Sequence, residues 1–339
     1  MTVGLKILSI TPGTTVQDLG RTGFLRYGVT GGGAMDVFAL AEGQALLGNV
    51  VEDAALEFAG AGGRFQATGA VSVATSGAVM SLKLNGAPVG WRQSLRMETG
   101  DTLDIGAVVD GVYGYLHIAG GFQTSRVLGA RSTHLRAGFG HVPKTGDVLL
   151  AGAPKRSSNR VGLPRSGYFD QRVLRVIWGP QSHHFSEDTR ARFAQAVFEV
   201  TKMRDRMGIQ VRPDSGAIKS AAGLTIASDA INLGDIQVTG DGTPAILLAD
   251  HGSSGGYPRI ATLITADVPA LAQIPTGDSF TLEVIERSTA VDLLGKFRAT
   301  LAGLPGKTAP MVRDPRDMGD LLAYNLIDGM LRGDEHDDN

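Results

Sequence analysis

The tripeptide Thr-Gly-Asp, set again and again in front of an apolar run, most constrains what this chain can fold into. It stands at Thr99-Gly100-Asp101 before Leu103, at Thr145-Gly146-Asp147 before Val148, and at Thr276-Gly277-Asp278 before Phe280. A fourth copy, Thr239-Gly240-Asp241, ends in a turn ahead of Ala245. Each copy is a hairpin-type turn, because glycine enters tight turns at no Cβ cost. A chain that turns and restarts a short apolar run this often is a chain of short strands. Glycine supports that reading: 47 of 339 residues, about twice the usual ~7%, and without a collagen period. The expected class is mainly β, a β-rich α+β fold, and the last strand of each half opening on the same turn hints at two similar units.

Local patterns place the elements. Strands are expected at Leu5–Ile10, Ala54–Phe58, Val71–Ala74, Met80–Leu84, Thr102–Ile105 and Tyr113–Ile118, divided by turn signals such as Asn85-Gly86 and Ala119-Gly120-Gly121. Asp36 is suited to cap a helix in which Val37, Leu40, Ala41, Leu46 and Leu47 recur at helical spacing, and Gly48-Asn49 stops it. Ser186-Glu187-Asp188 caps a second helix running to about Val197, after a strand at Val173–Trp178. The polar run Ala153–Arg160 reads as a linker. The expected division is a β-barrel unit over 1–153, a linker over 154–168, a second barrel unit over 169–287, and a helical tail with an acidic end over 288–339. In that tail Val291, Leu294 and Phe297 share one face, as do Met318, Leu321, Leu322 and Leu326.

Composition excludes several function classes. A formal net charge of -2 gives no basic face for nucleic acid. No apolar run approaches the roughly 20 residues that span a bilayer, and the N-terminus has no signal-peptide core. With zero cysteines there are no disulfides, thiolate metal sites or cysteine nucleophiles. The default expectation is a cytoplasmic protein that binds no membrane and no metal. Gly306-Lys307-Thr308 resembles the end of a P-loop, but Leu301 stands where the first glycine is required, so the chain has no P-loop of its own for ATP. Lys83 lacks the Met-Lys-Met setting of a biotin acceptor, so no covalent biotin is expected.

Polar chemistry gathers in Ala245–Thr262. Between two apolar runs, Ala245–Ala249 and Ile260–Ile264, stand Asp250, His251, Ser253, Ser254, Gly255, Gly256 and Tyr257. Gly252-Ser253-Ser254-Gly255-Gly256 matches the spacing of a nucleophile elbow, which requires a helix after the serine. Pro258 and a β-branched run follow instead, favouring a loop that cradles a ligand with backbone N–H groups and hydroxyls. Other charged residues sit in glycine-rich loops: Asp18, Arg21, Asp36, Arg131-Ser132-Thr133 and Arg206, the last suited to clamp a carboxylate or phosphate. His183-His184 lacks a carboxylate at ligand spacing and reads as surface.

Taken together the motifs resemble a known family. They are V-Q-D-L-G-R at Val16–Arg21, Y-G-V at Tyr27–Val29, G-A-M-D at Gly33–Asp36 and L-G-N at Leu47–Asn49. Further on come A-G-G at Ala119–Gly121, G-A-R-S-T at Gly129–Thr133, D-R-M-G at Asp205–Gly208 and I-Q-V at Ile236–Val238. L-A-D at Leu248–Asp250, G-G-Y-P at Gly255–Pro258 and the pairs Ala266-Asp267 and Ala272-Gln273 complete the set. In this order, over about Leu5 to Ile285, they resemble the biotin-dependent carboxyltransferase-like family, also called allophanate hydrolase subunit 2. The resemblance implies cyclophilin-like barrels and a sister protein, either the B-type subunit of 5-oxoprolinase or the allophanate hydrolase subunit 1 type. It implies an activity on a small cyclic amide or urea-like substrate, as in ATP-dependent 5-oxoprolinase, with ATP used by the complex. The alternatives within the family are carboxyl transfer from carboxybiotin on a separate carrier and a non-catalytic regulatory protein that antagonises a kinase inhibitor.

On that reading Asp250, Ser254 and Asp267 form the catalytic set, with either carboxylate as general base or orienter. Arg206 or Arg131 holds a carboxylate or phosphate, and Gln237, His251, Ser253, Gly255, Gly256, Tyr257, Ser132, Thr133, Arg21 and Asp36 line the substrate site. The chain departs from the family at Gly252, where the usual pattern has glutamine.

Overall fold

The computed structural model describes residues 3–154, 160–221 and 225–311. Three of the Thr-Gly-Asp turns have one construction. Gly100, Gly146 and Gly277 adopt φ of 90°, 96° and 93°, a region costly for any residue with a Cβ. Each of these glycines donates its N–H to a residue of the facing strand, respectively Ala67, Ile7 and Val200. That same residue donates its own N–H to the carbonyl of the following Asp101, Asp147 or Asp278. The turn thus sets the first rung of the ladder and the register with it. The fourth copy is built differently, with Gly242 at φ 88° and Gly242 donating to the Thr239 carbonyl at 2.8 Å.

In the first unit β1 (Gly4–Ile10) and β2 (Thr15–Gln17) precede helix α1 (Val37–Leu47), and β3 (Ala55–Ala59) follows it. Then come β4 (Gly63–Ala67), β5 (Val71–Leu84), β6 (Ala87–Pro88), β7 (Ser94–Met97), β8 (Thr102–Ile118) and β9 (Val148–Leu150). They form one nine-stranded sheet, ordered β2-β3-β8-β4-β1-β9, with β5 along the other side of β8 and β6 and β7 on β5. The strand β8 carries β4 on one half and β3 on the other. The forked order leaves this unit a half-barrel. Four of the expected strands merge into two: Val71–Leu84 and Thr102–Ile118 each run unbroken. Gly77, at φ 72°, opens a bulged stretch with register shifts up to Leu82, which bends the ribbon between the two expected strands without ending it.

The connecting stretch contains β10 (Val161–Gly162). Seven strands of the second unit close a barrel: β11 (Val173–Trp178), β12 (Val197–Arg204), β13 (Gly208–Pro213), β15 (Asp235–Val238), β16 (Pro244–Leu247), β18 (Arg259–Leu263) and β19 (Ser279–Val284). Their order is β11-β18-β15-β16-β13-β12-β19, parallel only where β19 meets β11. A small separate pair, β14 (Asp229–Ala230) and β17 (Ser254–Gly255), stands at the barrel's end. Helix α2 (Glu187–Gln195) sends Phe193 into the barrel core, edge-on to Phe198, which stacks on Phe280 at 5.6 Å. Helix α3 (Val268–Gln273) is buried throughout its length.

Both caps predicted for α1 are present: Asp36 accepts from the Ala39 N–H at 2.9 Å, and Gly48 takes φ 63°. The tail begins as helix α4 (Arg287–Gly303), whose Phe297 ring lies 6.2 Å from that of Phe38. Val291, expected on the same buried face, is exposed, because α4 lies on the surface and meets the body along a narrow stripe. A last strand, β20 (Ala309–Pro310), returns to pair with β10. Lys155–Asn159 of the linker, the apolar face at Met318–Leu326 and the acidic end lie outside the described residues. No helix among the described residues is long and apolar enough to cross a membrane.

The two units share a core. Met35, Leu40, Ala55, Tyr113 and Tyr115 of the first unit belong to one apolar cluster with Phe198, Ile209, Ile246 and Leu271 of the second. A second cluster fills the half-barrel around Phe58, Phe65 and Leu116.

Candidate active site

Arg206 stands in the tight turn between β12 and β13, held there because the Asp250 N–H donates to its carbonyl at 2.8 Å. Its buried guanidinium donates to both oxygens of Asp250, at 3.0 and 2.9 Å, to Glu57 Oε1 of β3, and to the Gly33 carbonyl at 2.6 Å. Burial alone would lower its pKa, but the Glu57 and Asp250 carboxylates outweigh that and hold it above the ordinary value. Glu57 Oε2 in turn accepts from Tyr115 Oη at 2.6 Å and from the Met35 N–H at 2.8 Å. Arg206 therefore binds the two units to each other and commits four of its five N–H donors to protein acceptors.

Next to this pair stand two imidazoles, His134 against Gly32 and His251 beside Thr30. His134 is buried, and its Nδ1 accepts from the Ala137 N–H at 3.3 Å. Its Nε2, 3.0 Å from Thr30 Oγ1, must then be the protonated nitrogen, since Thr30 gives its own hydrogen to the His251 carbonyl at 2.9 Å. His251 donates from Nδ1 to the Gly252 carbonyl at 2.5 Å, which leaves Nε2 an acceptor in the neutral ring. Burial lowers the pKa of both rings, and nearby Asp250 offsets only part of it. Both are neutral near pH 7.

A cavity of about 410 Å³ opens here, within the size range of small-molecule sites. Arg21, Thr22, Thr30, Asn232, His251 and Thr265 bring polar groups to its wall, and Phe24, Leu25 and Leu233 bring apolar ones. A wider groove of about 890 Å³ between α1 and α4 is lined mainly by side chains such as Val37, Ala41, Leu46 and Leu301, with no carboxylate or imidazole. The smaller cavity is the candidate site. Among the described residues no three His, Asp or Glu side chains come together as a metal site.

The structure sorts the residues named from sequence. His251 and Arg21 reach the cavity, and Asp250 stands just behind it on Arg206. Gln237, on β15, is 8% exposed, and its Nε2 has no hydrogen-bond partner. It lies under Gly255, where a Cβ would come within 2.4 Å of that nitrogen. Ser253 and Ser254 lie in a loop pinned by β14, with Ser254 exposed and Tyr257 39% exposed. The following strand, β18, rules out an elbow at Ser254, which requires a helix there. A Cβ at Gly252 would meet nothing nearer than the Ser254 carbonyl at 3.4 Å, so the missing side chain leaves open space.

Five candidates are corrected. Asp267 is fully buried, and Arg175 occupies both its oxygens through Nε, Nη2 and its backbone N–H, so it serves as an anchor between β11 and α3 and is no general base. Asp36 is likewise fully buried: besides capping α1 it accepts from Tyr168 Oη at 2.6 Å and Gln273 Nε2 at 2.7 Å. Arg131 points away, onto the Thr124 carbonyl and Gln123 Oε1. Ser132 and Thr133 are buried, with Ser132 Oγ on Asp18 Oδ1 and Thr133 Oγ1 on the His141 carbonyl at 2.6 Å. This knot around Asp18 fixes the loops that carry Arg21 and His134. Glu57, Thr30 and His134 were missed. A lone carboxylate inside the apolar strand run A-L-E-F was the available signal for Glu57, and His134 directly follows the G-A-R-S-T motif.

Known proteins share this fold. Residues 27–284 match the family described as carboxyltransferase domain, subdomain A and B. The chain is 32% identical over 300 residues to the C-type subunit of 5-oxoprolinase from Haemophilus influenzae, covering 86% of this chain and 94% of the relative. With the C-type 5-oxoprolinase subunit of Escherichia coli it is 33% identical over 279 residues, covering 80% and 88%. Among solved structures, the K. lactis urea amidolyase superposes with a TM-score of 0.80 at 25% identity. That match covers 92% of this chain but only 21% of the amidolyase, so this chain corresponds to one part of that larger protein.

Proposed function

The chain belongs to the carboxyltransferase domain family of subdomains A and B, and on that premise we propose that it is the C-type subunit of an ATP-dependent 5-oxoprolinase, opening a small cyclic amide together with a sister subunit of the B type. One observation carries the reading. The chain spans nearly the whole of a free-standing 5-oxoprolinase subunit of the C type, whereas it spans about a fifth of the urea amidolyase.

The cavity suits that chemistry. A lactam presents one N–H donor and one carbonyl acceptor, and attack on the carbonyl requires donors where the oxyanion develops. His251 lines the cavity, and its Nε2, left an acceptor by the Nδ1 bond to Gly252, is the candidate to take the amide N–H. Asp250, bound through both oxygens by Arg206, orients the loop that carries His251. The Ser253–Gly256 loop, held by β14, lies outside the cavity lining, so Thr22 and Asn232, which line it, are the candidate donors to the carbonyl oxygen. The proposal assigns ATP to the complex as a whole; Gly306-Lys307 lies in a 3-10 turn and gives no argument for a phosphate loop on this chain. The test is a coupled assay with the sister subunits: ATP hydrolysis that depends on 5-oxoproline and falls by about 100-fold or more in His251→Ala is expected. No 5-oxoproline-dependent hydrolysis in the complete wild-type complex would sink the proposal.

The likeness to urea amidolyase favours a second reading, carboxyl transfer from carboxybiotin on a separate carrier to a urea-like substrate. Carboxylation of urea by the complex in the presence of a biotinylated carrier would select it.

A further inference from the structure

Among the described residues four arginines are buried: Arg21, Arg92, Arg206 and Arg259. Three of them are ion-paired, Arg92 with Glu42, Arg206 with Glu57 and Asp250, and Arg259 with Asp229 and Asp235. Arg21 is the exception. At 3% exposure it donates only to carbonyls, from Nη2 to Ser132 at 2.5 Å and from Nε to Val127 at 3.4 Å, and its Nη1 has no partner. A buried cation without an anion is strongly disfavoured, and proteins rarely keep one that nothing neutralises. Burial lowers its pKa, with Asp18 and Asp250 acting only at longer range.

Its surroundings are those of a ligand site. Arg21 lines the cavity together with His251 and Thr30. Arg21 Nη1, Asp250 Oδ1 and His134 Cδ2 converge on the Gly32 backbone, where a Cβ would come within 3.2 Å of the first and 3.6 Å of the other two. Gly32 has φ 62°, so the backbone also disfavours a side chain there. Of the three arginines named from the sequence, Arg206 commits four of its five N–H donors to protein acceptors and Arg131 points away, whereas Arg21 lines the cavity.

We infer that Arg21 is the anchor for a carboxylate on the substrate, with Nη1 as its donor, and that it makes this site select a carboxylate-bearing lactam over a neutral amide or urea. The inference rests on the cyclic-amide reading above and deepens it. A neutral ligand leaves the guanidinium buried and unpaired, so the site discriminates against it through the cation it fails to neutralise.

Thermal-shift and calorimetric titrations on the full chain, alone and with its sister subunits, use 5-oxoproline, pyrrolidin-2-one, urea and inorganic phosphate as probes. 5-oxoproline is expected to bind wild type about 100-fold or more tightly than pyrrolidin-2-one, which has the same ring without the carboxylate. Arg21→Gln abolishes that preference while binding pyrrolidin-2-one as wild type does, and Arg21→Lys restores part of it. Unlike the loss of a structural ion pair, Arg21→Gln leaves the unliganded melting temperature unchanged or higher. Equal affinity of wild type for the two lactams overturns the inference without needing any variant, as does tight binding of phosphate in place of 5-oxoproline. A complex that binds 5-oxoproline through Arg21 but hydrolyses no ATP removes the proposed activity and leaves the anchor standing.

Discussion

His117 shows at the residue scale how a buried group couples folding to pH. It projects from β8 onto α1, where Ser76 Oγ gives its hydrogen to the Ala39 carbonyl at 2.7 Å and so must accept from His117 Nε2 at 2.9 Å. Nδ1 is buried without a partner, and burial takes the pKa from 6.5 to about 3. The folded protein refuses a proton that the unfolded chain accepts below 6.5. The stability contributed by this neutral ring is therefore complete above 6.5 and is lost as pH falls toward 3. Asp36 works in the opposite direction: burial raises it from 3.8 to about 6, so its contribution falls as pH rises through that window. Replacing the ring in His117→Gln should flatten the acid limb of stability by at most about 1.4 kcal/mol per pH unit, read from urea midpoints across the same range. An unchanged acid limb would show that the ring is protonated in the fold. Neither environment is visible in local sequence. His117 lies in the run Y-L-H-I, which predicts a strand and says nothing of which helix covers it.

At the scale of the element, glycine divides into two kinds that composition alone cannot separate. Gly277 sits at φ 93° in its Thr-Gly-Asp turn with no atom near a prospective Cβ, so a substitution there meets backbone strain alone. Gly295 lies inside α4, also in open space, with no positive φ. Gly277→Ala should cost about 1–2 kcal/mol. Gly295→Ala should stabilise by about 0.5–1 kcal/mol. Both are read by chemical denaturation, and opposite signs are the result that matters. Local chemistry was highly legible where it acted within a few residues: the Asp36 and Gly48 caps of α1 and the bounds of β11 agree with the sequence reading. It misled at β5 and β8. There, strands expected to be separate are one ribbon with bulges, because pairing between the two long strands outweighs the local preference to turn.

Across the whole molecule, the buried chain Tyr115–Glu57–Arg206–Asp250, together with the tie of Gln273 to Asp36 and Tyr113, runs between half-barrel and barrel inside a shared apolar core. Units joined in this way should unfold together. Calorimetry is expected to give one transition for wild type, and Arg206→Ala, which strands two buried carboxylates, should destabilise it by about 3–5 kcal/mol. Two resolved wild-type transitions would mean that the units are thermodynamically independent. By itself the sequence determined the β-rich class, the turns, the helix caps and the loops that carry Arg21, Arg206, Asp250 and His251, since all of these depend on residue type and near neighbours. Only the tertiary structure decided which of those residues line the cavity. Arg21 and Arg206 are both arginines in glycine-rich loops, and they differ solely in whether folding brings carboxylates to them from strands remote in sequence. Glu57 and Asp250 reach Arg206, and no acid pairs with Arg21.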